Sequence, residues 1–168
     1  MENGLIQVYT GDGKGKTTAA VGLCVRAVSH SLKVAFISFH KEWSGEMEVL
    51  KGIGVEVYTF ARAHPSHNAC NIKSIKKECR AGIEKAKAIF SKADIVVLDE
   101  IGISLRDGFL KEEEVIGLIN AKPSSVELIL TGRGIPHSII EKADLVTGMR
   151  KIKHPYDRGV KQRIGIEL

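Results

Sequence analysis

Apolar residues along this chain fall into two kinds of pattern, short unbroken runs and longer stretches in which they recur every three or four positions. Leu5–Thr10 (LIQVYT), Lys33–Phe39 (KVAFISF), Val55–Phe60 (VEVYTF), Asp94–Asp99 (DIVVLD), Val126–Thr131 (VELILT) and Ala143–Thr147 are runs of strand length. The fourth and fifth are almost continuously hydrophobic, the pattern of strands covered on both faces. Between the runs, Lys16 to Ser31 reads as a helix with apolar residues most of the way round, which predicts deep packing. Ile75, Cys79, Ile83, Ala86 and Phe90 recur at helical spacing with lysines and glutamates between them, a long amphipathic helix. Lys111–Ile119 is a third helix, with acids in the first turn where the positive dipole end favours them. Strands alternating with helices predict right-handed crossovers and a parallel sheet. The expected fold is α/β, three layers, and one domain over residues 1–168 without repeats or linkers.

Composition narrows the partners. Hydrophobic residues make up 43% and charged residues 27%, ordinary for a globular chain. No apolar run approaches the roughly 18 residues a membrane span needs, and no secretory segment precedes the first strand, so cytoplasmic localisation without a membrane is expected. Cys24, Cys70 and Cys79 are odd in number and form no C-x-x-C pair, which suits a reducing compartment. The net charge of +5 is spread among acids, as where Glu78 and Glu84 interrupt the lysines of 73–87. With aromatics at 5%, stacking surfaces for bases are scarce, and no nucleic-acid partner is expected.

The chemistry lies at strand ends. Thr10, Gly11, Asp12, Gly13, Lys14, Gly15, Lys16, Thr17 and Thr18 stand where the first strand turns into the first helix. Glycines let successive N–H groups face phosphate oxygens, and the helix turns its positive end to the same place. Lys16 can reach the outer phosphates, Thr17 can ligate Mg²⁺, and Lys14 adds a charge inside the loop. The general pattern G-x-x-x-x-G-K-[ST] has threonine, Thr10, in place of its first glycine. The fourth run delivers Asp99 and Glu100 at a C-terminal strand edge, where ligands of parallel sheets sit and where Mg²⁺ finds carboxylate oxygen. Asp99 can alternatively cap a helix starting near Ile101. Thr131-Gly-Arg133-Gly134 brings an arginine to a third strand end, where it can meet phosphate charge.

Three segments taken in order, TGDGKGKTTAA (10–20), VVLDEI (96–101) and the run from NAKP to KHPYDRGVKQRIGIE across 120–167, resemble the ATP:corrinoid adenosyltransferase family, the cob(I)alamin adenosyltransferases with a phosphate loop. The tail 153–167 is the most specific portion, and threonine at position 10 is normal for that family. The resemblance implies a P-loop NTPase, RecA-like sheet in the order 3-2-4-5-1-6, and a homodimer. It implies that cob(I)alamin or a related corrinoid attacks the 5′ carbon of ATP and displaces triphosphate, in cobalamin synthesis or salvage, with a separate reductase supplying Co(I). Carried over, Lys16 and Arg133 are the catalytic groups, Thr17, Glu100 and Asp99 the Mg²⁺ contacts, and Phe60, Lys153 and His154 neighbours of nucleotide or corrinoid.

The match departs in three places. Only residues 1–4 precede the first strand where relatives carry an arm, so that lid is expected to be absent or supplied otherwise. Residues 60–68 replace the aromatics expected near the corrinoid's lower face, leaving Phe60 as a survivor. Residues 101–104 (Ile-Gly-Ile-Ser) stand where relatives show an aromatic. Trp43, the only tryptophan, is read as core. His64 and His67 form H-x-x-H with Cys70 nearby, too few ligands for a metal site. Two other functions share the loop and acidic strand: a RecA-like ATPase or nucleotide kinase, with Glu100 orienting water or acceptor, and an ATP-sensing module without turnover. Neither accounts for the tail.

Overall fold

The computed structural model describes residues 3–62, 64 and 71–167. Its strands are β1 (Ile6–Thr10), β2 (Val34–Phe39), β3 (Glu56–Phe60), β4 (Ile95–Asp99), β5 (Glu127–Thr131) and β6 (Leu145–Gly148). They form one sheet in the order β3-β2-β4-β5-β1-β6, every pair parallel. The helices are α1 (Lys16–Ser29), α2 (Gly45–Gly52), α3 (Ile72–Ile89), α4 (Ile101–Arg106), α5 (Glu112–Asn120) and α6 (His137–Ile140).

Strand side chains alternate between two cores, and this alternation places the site. Val96, Leu98, Leu128 and Leu130 face the layer that contains Ile83 of α3 and Leu118 of α5. Ile95, Val97 and Ile129 face the other layer, with Ala20 and Cys24 of α1 and Leu50 next to them. By the same period of two, Asp99 and Thr131 at the ends of β4 and β5 turn toward α1. All ten residues of these two strands are buried, as their unbroken apolar character predicts.

Local expectations fail in physically readable ways. The first helix ends at Ser29 and buries a stripe, Lys16, Ala20, Cys24 and Ala27, while Val25 is 46% exposed. Its apolar circumference therefore does not mean all-round packing. Asp99 does not cap α4; Glu100 holds that position at φ 62° without a capping bond, because Asp99 is engaged elsewhere. Trp43 is 63% exposed, not core. Two short helices were not anticipated. In α2 the Ser44 hydroxyl accepts from the Met47 N–H at 3.4 Å, and Met47 and Leu50 turn inward. The four residues of α6 follow Pro136 and bury Ile139. Among the described residues, no helix is long and apolar enough to cross a membrane.

Candidate active site

The loop between β1 and α1 is shaped by its glycines and by the chain that leaves β6. Gly11 and Gly15 take φ values of 99° and 119°, open to glycine at little cost. The Met149 N–H donates to the Thr10 carbonyl at 2.8 Å, and the Gly13 N–H donates to the Met149 carbonyl at 2.7 Å. A Cβ on Gly11 or Gly13 would lie 2.5 or 2.7 Å from that same Met149 oxygen, so a larger residue would push loop and chain apart. Gly11, Asp12 and residues 148–151 line a depression of about 460 Å³ beside the loop.

Lys16 is buried and turns back over the loop, donating to the Gly11 and Gly13 carbonyls at 2.9 and 2.8 Å. The ammonium thus sits inside the ring that would surround a phosphate. Burial lowers its pKa; Glu100 opposes that shift and Arg133 adds to it. Lys14 points the other way. Its Nζ donates to the Ile166 carbonyl at 2.9 Å and meets Glu167 Oε1 at 3.2 Å, so the structure places this lysine on the tail. Thr18 and Asp12 are exposed.

Behind the loop lies a buried carboxylate corner. Asp99, 0% exposed, accepts from Thr17 Oγ1 at 2.9 Å and Thr131 Oγ1 at 2.7 Å through one oxygen. Its other oxygen is 3.2 Å from Lys41 Nζ. Burial alone would lower the Lys41 pKa, but Asp99 and Glu100 outweigh it and the net shift is upward. Glu100 donates its N–H to Thr131 Oγ1 at 3.0 Å, while its Oε2 is buried without a hydrogen-bond partner. Burial raises the Glu100 carboxyl pKa, and Asp99 raises it further. Two carboxylates, one of them with an unpaired buried oxygen, and a threonine hydroxyl are the hard donors that Mg²⁺ prefers.

Arg133 is exposed between Gly132 and Gly134, at φ 139° and 71°. A Cβ on Gly132 would stand 2.6 Å from the Gly102 N, and one on Gly102 would stand 2.7 Å from the Arg133 carbonyl. Glycines on both sides therefore let the arginine turn lie against the start of α4, close enough for Arg133 to act on the charges of Lys16 and Glu100.

The remaining expected residues lie apart. His154 Nδ1 accepts the Tyr156 N–H at 3.1 Å and caps the turn Pro155–Arg158, and Lys153 is exposed. The tail reaches the loop through Ile166 and Glu167, while Met149 and Arg150, just before it, lie against the loop glycines. Phe60 packs on Phe39 with centroids 6.4 Å apart and lines a groove of about 590 Å³ with Arg62, Ser74 and Glu78. That groove is at the β3 edge, with β2, β4 and β5 between it and β1. His64 Nε2 is 2.8 Å from Asp107 Oδ2, and its ring meets His40 and Phe109. His67 and Cys70 lie outside the described residues. Among those described, no three metal-binding side chains of His, Cys, Asp or Glu come together.

Sequence reasoning missed Lys41 and the role of Thr131. Both were within reach, because the order 3-2-4-5-1-6 sets the exit of β2 beside β4, and alternation from Ile129 turns Thr131 toward α1.

An all-parallel sheet in this order, a glycine loop opening α1, and a buried acid on the neighbouring layer of strand ends define a P-loop nucleotide-binding protein. Residues 2–168 match the family ATP:corrinoid adenosyltransferase BtuR/CobO/CobP, and the chain belongs to that family. Its relatives include the corrinoid adenosyltransferase of Escherichia coli (strain K12), 41% identical over 99% of this chain and 86% of that protein. Corrinoid adenosyltransferase CobA of Salmonella typhimurium (strain LT2) is 39% identical over the same shares. The corrinoid adenosyltransferase of Pseudomonas aeruginosa is 33% identical over 99% of this chain and 85% of its own length.

Proposed function

We propose that this chain transfers the 5′-deoxyadenosyl group of ATP to the Co(I) centre of a corrinoid and releases triphosphate. The observation that carries the reading is the meeting of two features. The tail, which generic ATPases do not share, lies against the phosphate loop through the bonds of Lys14 to the Ile166 carbonyl and to the Glu167 carboxylate.

Co(I) gives its electron pair to C5′, the C5′–O bond breaks, and that bond's pair leaves on the triphosphate. The cobalt ends as alkyl-Co(III). Because the nucleophile is the metal of the substrate, no side chain has to remove a proton. The loop N–H groups, Lys16 and Arg133 hold the whole triphosphate and stabilise the charge it gains on leaving. Thr17, Asp99 and Glu100 are the groups that would hold Mg²⁺, which when bound would add positive charge beside the leaving phosphates.

The reaction consumes Co(I), so a reductase outside this chain has to supply it. Cytoplasmic placement belongs to the same reading, supported by Cys24 and Cys79 being free and buried thiols. A homodimer is supported by edge strand β6, whose Leu145 and Val146 are 41% and 43% exposed, apolar surface that a second copy would cover.

Chemically reduced cobalamin mixed with protein, ATP and Mg²⁺ tests this. The expected result is a visible-spectrum change to adenosylcobalamin, with one triphosphate released per corrinoid. Orthophosphate release that proceeds without corrinoid, and no cobalt–carbon product, would replace the transferase with an ATPase.

A further inference from the structure

Lys41 stands immediately after β2, and the residue before it has an unusual backbone. His40 takes φ 60°, and its N–H donates to the Phe60 carbonyl at 3.2 Å. This left-handed turn ends β2 and sends the next side chain across the end of β4. Lys41 Nζ comes to rest 3.2 Å from Asp99 Oδ2 and 3.3 Å from Thr17 Oγ1. Those two residues are among the groups assigned above to Mg²⁺, and the inference rests on that assignment.

The surroundings are anionic beyond what one ammonium neutralises. Asp99 is fully buried, Glu100 follows it with an unpaired buried oxygen, and Glu46 of α2 also acts on Lys41. On β2, Ser38 pairs in register with Asp99, and its hydroxyl is likewise buried without a partner. The corner thus offers oxygens to a cation more highly charged than the lysine it holds. The lysine is not locked in place, since its side chain is 32% exposed.

We propose that the Lys41 ammonium is a built-in stand-in for the divalent cation. It holds Thr17 and Asp99 in their paired arrangement, and it must leave before a metal ion can enter. A bare ion would have to displace the ammonium and leave it without a carboxylate. An ion arriving with a triphosphate offers the displaced ammonium new anionic oxygens. Metal entry is therefore coupled to nucleotide entry, and Lys41 is a positioning residue that sets the order.

The test is Mn²⁺ binding followed by electron paramagnetic resonance, with wild type, K41M, K41Q and K41R, each with and without ATP and without corrinoid. Without ATP, K41M and K41Q are expected to bind Mn²⁺ at least about tenfold tighter than wild type, and K41R to behave as wild type. A structural defect would weaken metal binding, so a gain cannot come from misfolding. Thermal melts give a second readout: Mn²⁺ alone should raise the melting temperature of the two neutral variants and leave that of wild type unchanged. Equal or weaker Mn²⁺ binding by both neutral variants, with normal Mn²⁺ binding by wild type in the presence of ATP, overturns the stand-in role alone. Failure of wild type to bind Mn²⁺ even with ATP overturns the metal assignment and the stand-in with it.

Discussion

Two regions grip the phosphate loop, and they do so by opposite means. Behind the loop, Asp99 is sealed from solvent and bonded to Thr17, Thr131 and Lys41. In front of it, the tail is nearly bare: Tyr156 and Ile164 are 74% and 93% exposed, and its hold on Lys14 is a pair between side chains 49% and 19% exposed. A buried carboxylate gives up a contact only to another donor or cation, because a contact broken without replacement leaves a charge in a poorly solvated place. An exposed ion pair exchanges readily with water and salt. The difference suits the proposed reaction, in which the triphosphate anchor stays fixed while a bulky corrinoid comes and goes.

The largest effect should come from the buried lysine of the loop itself. Lys16→Ala removes the buried ammonium bonded to the Gly11 and Gly13 carbonyls. Triphosphate release is expected to fall by about 100-fold or more, and calorimetric ATP binding to vanish. The far-ultraviolet dichroism should be unchanged, since both cores are untouched. Full ATP affinity in this variant would remove the loop from the reading altogether.

Next is the corner. Asp99→Ala leaves Thr17, Thr131 and the Lys41 ammonium without their shared acceptor, and a loss of about 3–5 kcal/mol in urea unfolding is expected. A loss below about 1 kcal/mol would mean that the corner is no firmer than the tail, and the contrast between the two regions would collapse.

The sequence made these two regions legible to different degrees. The strands, the loop and the acidic end of β4 follow from hydrophobic runs and glycine spacing, because burial and backbone freedom act through nearest neighbours in the chain, whereas the strand order came from the family resemblance alone. Lys41 was not legible from its own neighbourhood; a lysine after a strand is ordinary until the sheet order brings it beside Asp99. The α1 helix shows the converse. Its apolar residues suggested burial on all sides, yet only the stripe facing the sheet is covered, since the pattern names what can be buried and not what is present to bury it. Lys14 was assigned to phosphate from its place in the loop, while the structure gives its ammonium to a carboxylate 153 positions away. Charge pairing over that span leaves no local trace.

A smaller effect concerns pH. His40 has its pKa lowered from 6.5 to about 4, first by burial and then by His64, with Asp107 opposing and Arg106 adding. The folded state therefore favours neutral His40 while the unfolded chain takes up a proton more readily. This contribution is fully present above pH 6.5, falls as pH drops, and is exhausted near pH 4. Stability should decline by about 3 kcal/mol across that window. His40→Asn keeps a residue that tolerates the positive φ and removes the titration, so its urea midpoints should vary less between pH 6.5 and 4.5. An unchanged slope would place the acid sensitivity elsewhere.

The smallest effect tests the tail from its own side. Glu167→Gln removes the carboxylate that faces Lys14 and Arg163 and leaves the Lys14 bond to the Ile166 carbonyl in place. Because all these groups lie at the surface, the melting temperature is expected to stay the same. Freeing the Lys14 charge should instead strengthen ATP binding slightly, by about twofold at low salt, with the gain lost as ionic strength rises. Isothermal titration at two salt concentrations measures this directly. A variant that melts well below wild type would show that the exposed grip stabilises the fold as the buried one does, and the assignment of firmness to the corner and exchange to the tail would have to be withdrawn.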